Sequence, residues 1–417
     1  MTEEIHYRRS RGLYKSNLTL RHRLSKTWRV IFQFSTFIGI FALLLLMVNI
    51  LDRSFGYVAV ESPFDLGDQT SQGIPLEELP KEELLAILEK NISRGVYRRL
   101  DREKPFAERS QQEVYEVLVA EIGAPTIVKT WTLSESIFNR EEIQAQVSQE
   151  FPDAQLRFTS WVDREFITSQ QSSQVEQAGI RTAILGSLWT IAITILVAFP
   201  IGIGAAIYLE EYAGDHPVNR LIQTNINNLA GVPSIIYGML GLAIFVRTLA
   251  PITSGAALGV SGGEAMNGRT ILSAGLTLAL LVLPLLIING QEAIRAVPGS
   301  LRQASYGLGA TKWQTVWYHV LPNAIPGILT GTILAISRAF GETAPLVVVG
   351  AATYITMDPS GPFSRFTTLP IQIYQWTARP QEEYRHLAAA TIVVLLGLLL
   401  TLNAAAIYLR NRYSRVL

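Results

Sequence analysis

Long apolar runs alternate with polar connectors along the chain, and the runs fall at residues 30–51, 183–209, 229–250, 270–290, 325–350 and 387–409. Each is about 20 residues or longer, the length an α-helix needs to cross a hydrocarbon core of about 30 Å. The pattern predicts an all-α integral membrane protein with six transmembrane helices. Pro200, Pro233, Pro284 and Pro345 lie within or at the ends of these runs. Each removes a backbone donor and can bend its helix, as suits a pathway that opens and closes. Gly186, Gly202, Gly204, Gly238, Gly241 and Gly331 suit close helix packing.

Between the first two runs, the polar segment 52–180 is long enough for a small domain. Leu84, Leu85, Leu88 and Ile92 share one face of a helix that Pro80 opens. Ser110 and Glu113 form a capping box ahead of Val114, Val117, Leu118 and Ile122. GDQTSQG at 67–73 and SQQSSQ at 169–174 read as linkers.

Charge sets an orientation. Residues 1–29 carry eight Lys or Arg against two Glu, and Arg410, Arg412 and Arg415 make the other end basic. Six spans place both termini on one side, and the positive-inside rule makes that side cytoplasmic. The 291–324 loop then lies inside as well, with Arg295, Arg302 and Lys312 against Glu292. The 210–228 loop is the exception, since Glu210, Glu211 and Asp215 outnumber Arg220. The expected organisation is a basic cytoplasmic tail (1–29), a first transmembrane helix (30–51), an extracytoplasmic region (52–180) and a five-helix core (181–417). Val30–Leu51 is too long for a signal-peptide core and no small-residue cleavage site follows, so it reads as a retained anchor.

Composition narrows the function. Of 417 residues, 49% are apolar and 17% charged, and there is no cysteine, hence no disulfide framework and no thiolate metal site. Segment 52–180 holds 13 basic and 23 acidic residues, a net of −10, which argues against nucleic acid as a partner. GLGATK at 307–312 fails the G-x-x-x-x-G-K-[ST] pattern, so the chain has no loop to cradle nucleotide phosphates. The histidines at 6, 22, 216, 319 and 386 have no metal-ligand spacing, and no G-x-S-x-G elbow occurs. The expectation is a chain that is not an enzyme, with no catalytic residues, metal or cofactor of its own.

Arg338 and Glu342 stand four residues apart in the fifth run, on one helical face. A charge at that depth costs about 2.5–3.5 kcal/mol on insertion scales unless it pairs or meets water. In one reading Arg338 lines a translocation path, where a guanidinium fork suits an oxyanion and Glu342 tempers the charge so that the anion leaves. In the other the two form a packing pair with no substrate contact. Thr343 offers a hydroxyl to the same path or bonds its own backbone. Arg247 reads as a snorkelling interfacial residue, with an electrostatic lure for anions as the alternative.

Residues 293–325, AIRAVPGSLRQASYGLGATKWQTVWYHVLPNAI, form two short amphipathic stretches joined around Gly307 and Gly309. Ser300 can cap the first; Trp313, Val316, Trp317 and Val320 make an apolar face on the second, which Leu321 and Pro322 end. By itself this also reads as an interfacial segment with aromatic anchors. Its spacing, however, resembles the EAA loop of ABC importer permeases at Gln303, Ala304, Ser305, Gly309, Leu321 and Pro322, departing from it with Gln303 for Glu and Ser305 for Ala. NLAGVPSIIYGMLGLAIF at 228–245, residues 300–322, and PGILTGTILAISRAFGETAPL at 326–346 resemble the PstA-type phosphate permease family, and the resemblance covers roughly 178–417.

The resemblance implies a permease subunit, in a bacterial inner membrane, of an ATP-driven, binding-protein-dependent importer of phosphate, whose 300–322 loop docks in a groove of the ATPase. It also implies the partners: a PstC-like second permease, a PstB-like ATPase dimer that holds the ATP, and a PstS-like phosphate-binding protein. Another oxyanion, such as molybdate or sulfate, is the alternative cargo. A membrane sensor or scaffold is the rival class, disfavoured because the longest internal cytoplasmic loop, 291–324, has no room for a signalling domain.

Overall fold

The computed structural model describes residues 18–414 other than 62–78, 93–96, 99, 102–103, 122–125, 153, 173, 260–266 and 352–353. Residues 1–17 of the basic tail, the 67–73 stretch, Ile122 and Arg415 lie outside the described residues. The first apolar run sits within one 37-residue helix, α1 (Leu18–Ser54). Its apolar side chains are exposed around the circumference, with Phe37 at 70% and Leu43 at 69%, as a helix bathed in lipid requires.

In the 52–180 segment β1 (Phe55–Glu61) is followed by α2 (Lys81–Asn91), α3 (Gln111–Glu121), β2 (Thr126–Thr130), α4 (Leu133–Phe138), α5 (Arg140–Glu150), β3 (Gln155–Ser160) and α6 (Arg164–Thr168). The strands form an antiparallel sheet in the order β2-β1-β3, with Tyr57 opposite Phe158 and Val58 opposite Thr130. Alternation along β1 divides the core. Ala59 packs with Trp131, Ile143 and Val147, whereas Val58 joins Trp161, Phe166 and the membrane helices. Leu84 and Leu88 on α2 are wholly buried against Val114 and Leu118 of α3. The Ser110–Glu113 box forms with both of its hydrogen bonds, at 2.9 and 3.2 Å.

The 169–174 stretch is not a loose linker. Gln171 is buried and accepts a hydrogen bond from the Ile355 N–H at 3.0 Å. Beside it, Asp358 takes Thr182 at 2.8 Å, Gln170 at 3.3 Å and Arg181 at 2.8 Å. Burial opposes the Asp358 charge, but the hydrogen bonds from Thr182, Gln170 and Arg181, with the Arg181 charge, outweigh it and hold the carboxyl below its ordinary value.

The membrane core begins with α7 (Arg181–Ile207), prolonged by a π-helical turn to Tyr212, then α8 (Pro217–Ala230) and α9 (Ser234–Gly241), itself prolonged to Thr248. After α10 (Ile271–Arg295) come the short α11 (Gly299–Gly307) and α12 (Lys312–Thr315), α13 (Leu321–Gly341), α14 (Ala344–Val349), α15 (Leu369–Thr377) and α16 (Glu382–Ser414). Among the described residues five helical stretches are long and apolar enough to cross a membrane, and six if one bent pair counts as a single span. Helix α10 is central, packed on α7 through Gly275 against Ile193 and on α13 through Gly331 against Asn289.

Two expected spans are interrupted. The run at 229–250 is not one helix: α8 and α9 meet at 105° across residues 231–233. Pro233 there takes an extended ψ of 136° as the cap of α9. The run at 325–350 breaks between Gly341 and Ala344, because Pro345 in the first turn of α14 has no N–H to continue α13. Pro200 and Pro284, by contrast, lie inside continuous helices.

Candidate functional site

The break in the fifth span carries the paired charges. Arg338 sits in the last turn of α13, where a cation complements the helix dipole. Glu342 lies one residue beyond the helix with an extended backbone (φ −74°, ψ 127°), and its N–H reaches the Ala339 carbonyl at 3.3 Å. The two charges therefore meet across a helix end rather than along one helical face, with Arg338 Nε 3.5 Å from Glu342 Oε1. Arg338 is 46% exposed and Glu342 17%. Thr343 stands at the start of α14 but its hydroxyl does not cap the helix; its carbonyl accepts from Leu346 and Val347 instead.

What holds the break in place is the close approach of α9. A Cβ on Gly238 would lie 2.6 Å from Pro345 Cα, so only glycine allows the two backbones this contact. One turn on, a Cβ on Gly241 would lie 2.1 Å from Thr277 Oγ1 of α10. The NLAGVPSIIYGMLG stretch thus wedges the helix after one break between α10 and the helix after the other. Arg247 is exposed near the end of the π-helical extension of α9.

The 291–324 loop folds as a helical hairpin. Gly309 turns it with φ +81°, a left-handed conformation that suits glycine. Ser305 is buried and its hydroxyl bonds Thr315 across the hairpin at 2.8 Å, while Gln303 and Ala304 are exposed and Leu321 and Pro322 half-buried. Three expectations need correction. Pro298 rather than Ser300 precedes the first helix. Leu321 and Pro322 do not end the second, because a π-helical turn at Val316–Val320 carries it into α13 and accommodates the proline's missing donor. Its apolar face also splits: Val316 and Val320 are buried, whereas Trp313 and Trp317 stack in the open, 5.3 Å apart.

Sequence reasoning missed the residues that anchor this hairpin. Glu211, in the turn that ends the second span, takes Arg302 Nη2 at 2.6 Å and Nε at 3.0 Å, and the same guanidinium donates to the carbonyls of Val297 (2.8 Å) and Ile294 (2.9 Å). Glu210 receives Arg295 through two bonds, at 3.0 and 2.9 Å. The acidic excess at 210–211 was the available signal, since it faces the basic excess of the loop it binds.

Together these features describe a polytopic helical membrane protein with a charged pair at a broken helix and a clamped hairpin at one end. Residues 198–414 match the family described as binding-protein-dependent transport system inner membrane component, and with half the chain so matched, the protein belongs to that family of ABC importer permeases. It is 35% identical to the probable ABC transporter permease protein YqgI of Bacillus subtilis, over 51% of this chain and 66% of that one. It is 34% identical to the phosphate transport system permease protein PstA 1 of Mycobacterium tuberculosis, over 56% of this chain and 70% of that one. The Mycobacterium leprae PstA also shows 34% identity, over 56% and 72%. Thus the chain spans just under two thirds of YqgI and rather more of the two mycobacterial proteins. Among solved structures, the inward-facing MetNI methionine ABC transporter matches over 57% of this chain and 96% of its own, with 20% identity and a TM-score of 0.38.

Proposed function

We propose that the chain is the transmembrane permease subunit of an ATP-driven, binding-protein-dependent importer that carries inorganic phosphate. The observation that carries this reading is the pair at the break. Arg338 is nearly half exposed at membrane depth, and a guanidinium there is tolerated against water or another protein surface, not against lipid. A half-open guanidinium suits a phosphate oxyanion, and a carboxylate 3.5 Å away keeps the anion from binding too firmly to leave. The phosphate permeases among its relatives supply the choice of anion.

In this proposal Arg338, Glu342 and Thr343 line the path. A PstC-like permease completes it, a PstS-like protein delivers phosphate, and a PstB-like ATPase dimer binds ATP and receives the hairpin at Gln303, Ala304 and Gly309. Ser305, Leu321 and Pro322 set the hairpin's shape. Both termini face the cytoplasm, with 52–180 outside.

The test is uptake of radiolabelled phosphate by proteoliposomes holding the assembled complex, with sulfate and molybdate compared. Arg338→Gln and Glu342→Gln are expected to impair uptake while the complex assembles normally. Loss of assembly in either variant would support the structural pair instead, and transport of sulfate or molybdate in place of phosphate would move the substrate.

A further inference from the structure

The domain within 55–180 distributes its exposed apolar side chains unevenly. Among its described side chains the large exposed ones are Ile137 (63% exposed), Phe138 (83%), Phe158 (51%) and Ile167 (37%), and the described side chains of α2, α3 and α5 add none. These four cluster in the topology. Trp161 stacks on His386, in the first turns of the membrane helix α16, with ring centroids 5.4 Å apart. Phe158 precedes Trp161 by three residues of extended chain, about 10 Å at the rise of a strand. It pairs with Tyr57, whose ring it meets edge-on at 5.5 Å.

Strand β2 runs toward the same end, since its last residue Thr130 pairs with Val58 and the Trp131 N–H donates to the Tyr57 carbonyl at 2.9 Å. Helix α4 follows at once, held by Ser136 Oγ, which accepts from the Tyr57 N–H at 2.8 Å. Ile137 and Phe138 are thus presented at the membrane-proximal end of the sheet. Ile167 follows Phe166, whose ring lies 6.0 Å from that of Trp376 beside the membrane core.

We infer that this end of the domain rests in the lipid surface, with Ile137, Phe138 and Phe158 entering the boundary between headgroups and acyl chains. A domain surrounded by water has no reason to gather the exposed large apolar side chains among its described residues at the one end that adjoins membrane helices. The headgroup–acyl boundary accepts side chains to a depth of about 5–10 Å, a reach that Phe138 and Ile137 on a short helix satisfy. The neighbouring Trp161 and Phe166 pack on His386 and Trp376 of the membrane helices, which sets the patch beside them.

Because the chain has no cysteine, Phe138→Cys creates a unique site for a nitroxide spin label. In the full-length protein reconstituted in liposomes, collisions with oxygen, which partitions into lipid, are compared with collisions with a water-soluble nickel chelate. The label at 138 is expected to favour oxygen, as does one at Phe37 in α1, and to reverse the ratio found at the exposed Ser148 of α5. Ile137→Cys serves as the second site should Phe138→Cys fold poorly. A label at both sites that meets the nickel chelate as freely as at Ser148 would overturn the inference. So would one that neither reagent reaches, which would assign the patch to a protein partner. The measurement needs no transport, so it stands apart from the test of the cargo.

Discussion

Replacing Glu211 with Gln removes the charge from the clamp and leaves its shape. Both bonds from Arg302 end on the same carboxylate oxygen, at 3.0 and 2.6 Å, so an amide oxygen could still accept them. Arg302 stays ionised, so both bonds remain charge-assisted from the donor side; what is lost is the carboxylate's charge in a partly buried pair, about 2 kcal/mol. Because Glu211 is only 6% exposed and Arg302 20%, solvent recovers little of that. Two kcal/mol is a factor of about 30 in the open population of the hairpin. Hydrogen exchange of the α11 amides, read by mass spectrometry, is expected to accelerate by about that factor. Glu210→Gln is the control: Arg295 is 59% exposed, and a pair of that kind is worth at most about 1 kcal/mol, or about fivefold. Unchanged α11 exchange in Glu211→Gln, or equal effects in the two variants, would refute the assignment of Glu211 as the principal anchor.

Two further outcomes follow from packing and charge. Gly238→Ala sets a methyl 2.6 Å from the Pro345 backbone, which cannot rotate aside, so α9 and α14 must separate. A loss of about 1–3 kcal/mol is expected, read as a lower thermal midpoint in detergent, and an unshifted midpoint would show that the contact is looser than described. Asp358 has a depressed carboxyl pKa, so its contribution is fully present above the unfolded value of about 3.9 and disappears as pH falls through the lower folded value. Wild-type protein should lose stability below pH ~4 more steeply than Asp358→Asn, and parallel pH profiles would contradict the Arg181–Asp358 linkage.

The apolar runs were legible because lipid demands a continuous span, and 270–290 and 387–409 appear as helices a few residues longer at their ends. The breaks at 231–233 and 342–343 were not. Proline at 200 and 284 stays inside a helix while proline at 233 and 345 ends one, and hydropathy does not distinguish the two cases. What separates them is tertiary: Gly238 brings α9 onto Pro345, so each broken helix finds support in the other. The hairpin at 300–322 was visible in its spacing, but its clamp depends on residues about 90 positions away at 210 and 211, a pairing no local pattern specifies. Arg338 and Glu342 stood out by their cost in a membrane, although a spacing of four residues suggested one helical face and not a meeting across a helix end.

The two breaks bear on the proposed site as much as the ion pair does. A helix interrupted inside a membrane exposes carbonyls on one side of the gap and N–H groups on the other. Such groups persist at that depth only where protein covers them or water reaches them. Here the helices that resume after each break, α9 and α14, lie against one another through Gly238 and Pro345. Protein therefore covers one side of the 342–343 gap. Arg338, at 46% exposure, marks the uncovered side, and Glu342 at 17% stands between the two. At the hairpin, by contrast, Arg302 is enclosed and divides its donors between a carboxylate and two carbonyls. Among the described residues the two arginines thus differ in kind, Arg302 clamped on four acceptor contacts and Arg338 with one contact of 3.5 Å, and the proposed anion path uses the open one.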